Sequence, residues 1–281
     1  MSTLADRTIL MSGGSRGIGL AIALRAARDG ANVVMLAKTD QPHPRLPGTV
    51  HTAVSEVEDA GGRAFAVVGD VRKDDDVQRA VDAAVEQFGG IDIVVNNASA
   101  LDISPTREIS MKSYDLMQDI NARGSFLLSK LAIPHLEKSD RAHILTLSPP
   151  LDLRPKWAGN YLAYTMAKYG MSLVTLGLAE ELREAGVAAN SLWPRTTIAT
   201  AAVANLLGGS DAVARARRPE IVADAAHAIL VRDSRKCTGN FYIDDEVLAE
   251  EGITALDGYR AQPGDQPLEM DLFLDPMEEV R

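Results

Sequence analysis

The stretch Thr8-Ile9-Leu10-Met11-Ser12-Gly13-Gly14-Ser15-Arg16-Gly17-Ile18-Gly19 decides the fold. Thr8–Met11 is a short apolar run, which reads as a strand buried on both faces. From about Ile18 to Asp29, apolar residues return at helical spacing. Between the two lie Gly13, Gly17 and Gly19, in the spacing G-x-x-x-G-x-G. A tight turn from strand to helix lets backbone N–H groups converge on a phosphate. Glycine is needed where a Cβ would block close approach or the required dihedrals. The stretch therefore predicts a nucleotide-phosphate cradle at the start of a βαβ unit. A Gly-rich turn without a ligand is the alternative, and the flanking strand and helix weigh against it.

Further along, apolar runs alternate with longer helical patterns. The strand-like runs are Thr8–Met11, Asn32–Ala37, Ala64–Val68, Ile91–Asn96, His143–Ser148, Val187–Trp193 and Gly239–Ile243. Helices fit between them at Gly17–Asp29, Val50–Ala60, Asp74–Phe88, Met111–Leu136, Asn160–Ala185 and Pro219–Arg232. Asp29-Gly30 and Ala60-Gly61-Gly62 read as helix stops, and Asp74 and Ser110 as N-caps. This alternation predicts an α/β fold: a doubly wound parallel sheet of seven strands, with helices on both faces in three layers. The site then lies at the carboxyl edges of the strands. Gln41–Gly48 holds prolines 42, 44 and 47 and reads as a loop inserted after the second strand. Residues 246–281 form an acidic, turn-rich C-terminal extension. It packs across the site, packs across a neighbouring subunit, or is a surface tail, the last being the simplest reading.

The 281 residues suit a single large domain, with no linker and no internal repeat. Apolar residues make up 46%, as in a soluble globular chain. A net charge of −10 argues against nucleic acid or an anionic membrane as partner. The lone Cys237 excludes an internal disulfide and fits a reducing compartment. The N-terminus lacks the pattern of a secretory leader, no apolar run reaches the ~20 residues of a membrane span, and Glu279-Val280-Arg281 is no peroxisomal address. A cytoplasmic location is expected. Histidines 43, 51, 135, 143 and 227 show no spacing suited to a metal, so no metal site is expected.

Tyr164 and Lys168 are four apart and share a helix face, just after a buried strand and its loop. A phenol ordinarily titrates near pH 10, too high for acid–base work at neutrality. A nearby ammonium, with the positive nicotinamide of an oxidised cofactor, would lower it. Cradle and pair together point to hydride transfer with a nicotinamide cofactor. Tyr161, one turn earlier, is the rival phenol.

Charge bears on the choice of cofactor. The second strand ends Leu36-Ala37-Lys38-Thr39, a base where an acid would hold the ribose diol of NAD. Arg16 adds a second cation, and two cations suit the extra phosphate of NADP. Asp40 lies close enough in sequence to keep NAD open. Asp70 and Val71 follow the third strand, where they could contact adenine, and Asn96-Asn97-Ala98-Ser99 follow the fourth at the same edge.

With these motifs in place, the chain resembles a short-chain dehydrogenase/reductase over about residues 7 to 245. The family pattern T-G-x-x-x-G-x-G is present with Ser12 for Thr, N-N-A-G as Asn96-Asn97-Ala98-Ser99, and Tyr-x-x-x-Lys as Tyr164-Thr165-Met166-Ala167-Lys168. Asn121, in Ile120-Asn121-Ala122-Arg123-Gly124, matches the family's catalytic Asn. The resemblance implies a Rossmann fold and assigns chemistry to Tyr164, Lys168, Ser148 and Asn121. It places the cofactor on Ser12, Gly13, Ser15, Arg16, Gly17, Ile18 and Gly19 in the turn, and on Lys38, Asp70 and Val71. Asn97, Ala98, Ser99, Tyr164, Lys168, Pro194 and Thr197 complete that set. Finer features resemble the hydroxysteroid dehydrogenase-like protein 2 branch: Gln41-Pro42-His43-Pro44, Ser148-Pro149-Pro150, Asn190-Ser191-Leu192-Trp193-Pro194-Arg195 and Asp271-Leu272-Phe273-Leu274-Asp275. The sterol-carrier domain of eukaryotic members is not expected here.

The chain also departs from the family pattern. Pro149 stands where the second of two serines would be catalytic, so either Ser148 takes over or Tyr164 polarises the substrate alone. Arg195 replaces a glycine and either meets an acidic or CoA-type substrate or caps the loop. Ser99 replaces a motif glycine. Thr196–Arg218 reads as a hinged lid over a hydrophobic substrate or as an ordinary surface helix. The expected activity is NADP-dependent interconversion of a carbonyl and an alcohol on a small apolar substrate. An enoyl-thioester reductase and a non-catalytic NADP-binding sensor are the alternatives. The resemblance also implies a homo-oligomer, tetramer or dimer, built through the two long helices.

Overall fold

The computed structural model describes residues 3–42, 47–206 and 209–275. Seven parallel strands form one sheet: β1 (Thr8–Ser12), β2 (Asn32–Ala37), β3 (Arg63–Val68), β4 (Ile93–Asn96), β5 (His143–Thr146), β6 (Ala188–Trp193) and β7 (Phe241–Ile243). Their order, β3-β2-β1-β4-β5-β6-β7, reverses direction between β1 and β4. That reversal opens a crevice at the carboxyl ends, where doubly wound sheets bind ligands. The expected three-layer fold is the one observed.

β1, β2, β4, β5 and β6 are buried at every residue, because helices cover both faces. One face packs on α1 (Gly17–Ala27), α2 (Val50–Asp59) and α10 (Glu220–Leu230); the other on α3 (Asp74–Phe88), α5 (Gly124–Leu136) and α7 (Leu162–Glu181). β3 is the exception. As an edge strand it is largely open to solvent, with Phe65 and Val68 exposed.

Two long helices expected from the sequence are interrupted. Met111–Leu136 divides into α4 (Met111–Met117), a π-helical turn (Gln118–Arg123) and α5. The turn contains Asn121, in keeping with the habit of π-turns of sitting at functional positions. Asn160–Ala185 divides at Tyr161, whose φ of −153° and ψ of 60° leave the helical region. A short α6 (Pro155–Asn160) precedes it, with Pro155 opening the first turn. Ser110 caps α4 as expected, its hydroxyl accepting from Ser113 N–H at 3.1 Å. Asp74 is instead the first helical residue of α3, after Lys73. Asp74, Asp75 and Asp76 together place negative charge at the positive end of the helix dipole.

Of the proline loop Gln41–Gly48, residues 43–46 lie outside the described residues. Thr49 closes it with a reciprocal cap, Thr49 and Thr52 each offering a hydroxyl to the other's N–H. Within the expected lid, α8 (Ala201–Leu206) and α9 (Gly209–Ala214) flank residues 207 and 208, which lie outside the described residues. After β7 the chain forms α11 (Asp244–Glu250) and then returns across the sheet edge. It is therefore not a free surface tail, although residues 276–281 lie outside the described residues.

Candidate active site

The glycine turn, the ends of β2, β3 and β4, and the start of α8 enclose a cleft of about 830 Å³. Gly13, Ser15, Arg16, Gly17 and Ile18 line it from the turn. Lys38 lines it from the end of β2, Asp70 and Val71 from the loop after β3, and Asn97, Ala98 and Ser99 from that after β4. Ser12 and Gly19 stand behind this wall. Ser12 Oγ accepts from the backbone N–H of both Asn97 and Ala98 at 3.2 Å, and Asn97 Nδ2 donates to Gly13 O at 2.8 Å. A Cβ on Gly19 would lie 2.5 Å from Asn97 Nδ2 and 2.6 Å from Gly13 O. Gly19 is thus required by packing within the turn. Gly13 is required twice over, by its φ of +74° and by a Cβ that would sit 2.9 Å from Ala98 Cα.

The donor set fits a nucleotide. The Arg16 guanidinium donates to Gly48 O at 3.0 Å, while its buried Nε has no partner among the described residues. Burial lowers its pKa below the ordinary arginine value. Lys38 pairs with Asp70 at 3.1 Å. The Asp70 carboxylate also takes a fork from Arg72, which holds it well below the usual carboxylate range. Asp40, the acid that kept NAD open, is engaged by His51 at 2.6 Å. Thr197 is buried two residues before the cleft-lining Ala199, and neither its hydroxyl nor that of Thr196 has a partner among the described residues. Pro194 sits between buried Trp193 and Arg195.

Tyr164 and Lys168 both lie buried on α7. Lys168 Nζ donates to Leu147 O at 2.9 Å and lies 5.1 Å from the centre of the Trp193 ring. Burial pushes its pKa down to about 7, with Asp271 opposing. Burial pushes the Tyr164 phenol up, and the charge of Asp271 adds to the effect. The phenol is therefore held protonated. Burial likewise pushes Asp271 up to about 7; the Leu272 N–H and Lys168 oppose this, while Asp244 and Glu269 reinforce it.

Ser148 and Asn121 are engaged elsewhere. The Ser148 side chain is fully buried and shares a 2.8 Å hydrogen bond with Ser191 Oγ, which donates to Thr175 Oγ1 at 3.0 Å. This chain of hydroxyls links the loop after β5 to β6 and α7, and Ser148 makes no hydrogen bond to Tyr164. Asn121 accepts from Ala100 N–H at 2.7 Å and donates to Ala100 O at 3.0 Å. It thereby fastens the loop after β4 to the π-turn. Arg195 is not free to meet an acidic substrate: it forks onto Asp245 at 3.1 Å and pairs with Glu246, tying the end of β6 to α11.

Sequence reasoning missed the aromatic side of the site. Phe273, from the C-terminal extension, is 2% exposed and lies against Tyr164, Tyr161, Tyr169, Trp157 and Trp193. The only available signal was the match of Asp271–Asp275 to one family branch. Among the described residues no group of three metal-ligating side chains occurs. No described helix is long and apolar enough to cross a membrane.

A cradle at the switch point and a Tyr/Lys pair at the same edge define a dinucleotide-binding α/β oxidoreductase. The family model for short chain dehydrogenases matches residues 7–208, and the chain belongs to that family, whose members act on CH–OH groups with a nicotinamide cofactor. It is 55% identical over 277 residues to hydroxysteroid dehydrogenase-like protein 2 of Xenopus laevis, covering 99% of this chain and 66% of that protein. It thus spans just under two thirds of that relative. The structure of a putative dehydrogenase from Xanthomonas campestris superposes with a TM-score of 0.94 at 55% identity, covering 98% of this chain and all of that one. The NADH-dependent reductase A1-R′, complexed with NAD, is 25% identical with a TM-score of 0.69, covering 85% of this chain and 95% of that one.

Proposed function

We propose that the protein is an NADP-dependent oxidoreductase that interconverts a carbonyl and an alcohol on a small, apolar substrate. The observation that carries this reading is the Tyr164/Lys168 pair, buried one helical turn apart on α7 at the edge that bears the cradle. The bound cofactor supplies or accepts the hydride. Tyr164 gives its proton to the substrate oxygen in reduction and takes it back in oxidation. Lys168, buried and pushed down to about 7, moves between charged and neutral forms near neutrality and tunes the phenol.

On this reading Ser148 takes no catalytic part, its hydroxyl being engaged with Ser191 and, through it, Thr175. Polarisation of the carbonyl then falls to Tyr164 alone, which agrees with Pro149 at the family's serine position. Asn121 acts as a positioning residue through Ala100. Arg16 supports NADP over NAD: it lines the cleft, and its Nε has no partner among the described residues. The ion pairs of Arg195 remove the basic group on which an enoyl-thioester reading drew.

Association between copies is supported by exposed apolar side chains on the two helices the family uses for it: Phe126 on α5, and Leu162, Met166, Leu173 and Leu176 on α7. The activity test is NADPH oxidation by wild type and Tyr164→Phe over apolar aldehydes, ketones and enoyl thioesters. Carbonyl turnover that the variant loses by at least 100-fold supports the proposal. Reduction of enoyl thioesters alone, or tight NADPH binding with no turnover of any class, would replace it with one of the alternatives.

A further inference from the structure

The extension reaches Tyr164 along a definite path. Thr197 N–H donates to Glu269 O at 2.9 Å and Asp271 N–H to Arg195 O at 3.0 Å, so residues 269–271 run beside the loop after β6. Trp193 Nε1 then donates to Leu272 O at 2.9 Å. Phe273 follows with a φ of +71°, a left-handed backbone that a bulky L residue rarely adopts. Its ring stacks on Tyr164 at 6.0 Å and 30°. Tyr169 and Tyr161 lie at 5.4 and 5.5 Å, Trp193 and Trp157 at 6.0 and 6.2 Å. Beyond it, the half-exposed Asp275 carboxylate pairs with Arg154 and Lys156.

Two features set this apart from ordinary core packing. First, two of the chamber's aromatic walls are fixed without its occupant. Tyr169 Oη donates to Asp152 O at 2.6 Å, and Trp157 Nε1 to an Asp152 carboxylate oxygen at 2.9 Å. Second, past the backbone bonds of Glu269 and Asp271 and the Trp193–Leu272 bond, the outer end of the segment is lightly fastened. Its outer latch consists of solvent-exposed ion pairs, which contribute little, and its backbone is held in an unfavourable region.

We propose that Phe273 is a resident occupant of the substrate chamber, and that a substrate reaches Tyr164 by displacing its ring with a flat apolar group of similar size. This inference rests on the assignment of Tyr164 as the group that meets the substrate oxygen. The displaced ring describes the ligand: an aromatic or comparably planar group attached to the carbon that bears the oxygen. Substrates lacking such a group leave the segment in place. Phe273 is in this sense a specificity-determining residue, and Asp275 sets how readily it leaves.

The chain has two tryptophans, Trp157 and Trp193, and both touch Phe273, so intrinsic fluorescence reports on this chamber. The test titrates wild type, Phe273→Ala and Asp275→Asn with 1-phenylethanol in the absence of cofactor, following fluorescence and its quenching by acrylamide. Phe273→Ala is expected to bind the probe at least tenfold more tightly, with quenching at least doubled. Asp275→Asn, a surface change that leaves the core intact, is expected to bind it about threefold more tightly. Equal affinity for wild type and Phe273→Ala overturns the proposal. So does tighter binding in Phe273→Ala with no change in Asp275→Asn, which would make the ring a fixed wall. Binding is read without turnover, so an inactive Tyr164 would show separately, as tight binding of the probe with no reduction of acetophenone.

Discussion

Replacing Arg16 by Ala should cost NADPH affinity and spare NADH. One terminal nitrogen of this guanidinium is used on Gly48 O, and its Nε has no partner among the described residues. A charge-assisted hydrogen bond from such a group to a phosphate contributes about 1.5–3 kcal/mol net, or roughly 10- to 150-fold in dissociation constant. Lys38 is the other cation, and it should matter less. Its side chain is 55% exposed and already paired with Asp70. A pair of that kind is worth up to about 1 kcal/mol, so Lys38→Ala should weaken NADPH by roughly fivefold at most. NADH carries no phosphate at that position, and its affinity should stay within about twofold in both variants. The assay is titration of both cofactors by nicotinamide fluorescence at one fixed ionic strength, since exposed charges are screened by salt. Parallel loss of NADH and NADPH binding in Arg16→Ala would refute the reasoning, because the residue would then be shaping the turn. A Lys38→Ala effect larger than that of Arg16→Ala would refute the ranking.

Two further outcomes follow from buried groups. Ser148→Ala should leave kcat within about threefold of wild type and lower stability by about 1 kcal/mol in urea unfolding, since Ser191 keeps its bond to Thr175; a hundredfold fall in kcat would return the hydroxyl to the chemistry. His143 is 1% exposed and burial pushes its imidazole down to about 4, so the folded state refuses a proton that the unfolded chain accepts below about 6.5. Its contribution is fully present above pH 6.5 and is lost as pH falls toward 4, by about 3 kcal/mol in all. Unfolding of His143→Gln across that window should show a correspondingly shallower dependence on pH, and identical slopes would show that another group carries the effect.

The cradle was legible because its requirement is local. Gly13 and Gly17 answer to backbone dihedrals, and strand and helix patterns stand directly on either side of them. The doubly wound parallel sheet followed from the alternation of short and long apolar segments. What escaped the sequence depended on direction or distance. Ser148 has the right residue type at the right strand end, but a tight turn from its N–H to Thr146 O accompanies a hydroxyl bonded within the core. Arg195 is a cation whose partners, Asp245 and Glu246, lie about fifty positions away. Phe273 meets Tyr164 across more than a hundred positions, from a segment with no period to mark one face as buried. The π-turn at Asn121 was hidden because its sequence is compatible with an unbroken helix; a side-chain contact to Ala100 accompanies the change.

The knot formed by Ser12, Gly13 and Asn97 bears on how a cofactor would come and go. It bolts the β1 and β4 edges of the cleft together before any ligand arrives. That wall has little conformational freedom left to lose, so binding against it carries a small entropic penalty and little induced fit. The opposite wall is supplied by Ala199, Thr200 and Ala201 and by Pro219 and Glu220, two short stretches joined by Ala199 N–H to Arg217 O at 2.8 Å. Residence time will follow the stability of that second wall, and substitutions that stabilise the contact between its two stretches should slow cofactor release while leaving the rate of arrival nearly unchanged.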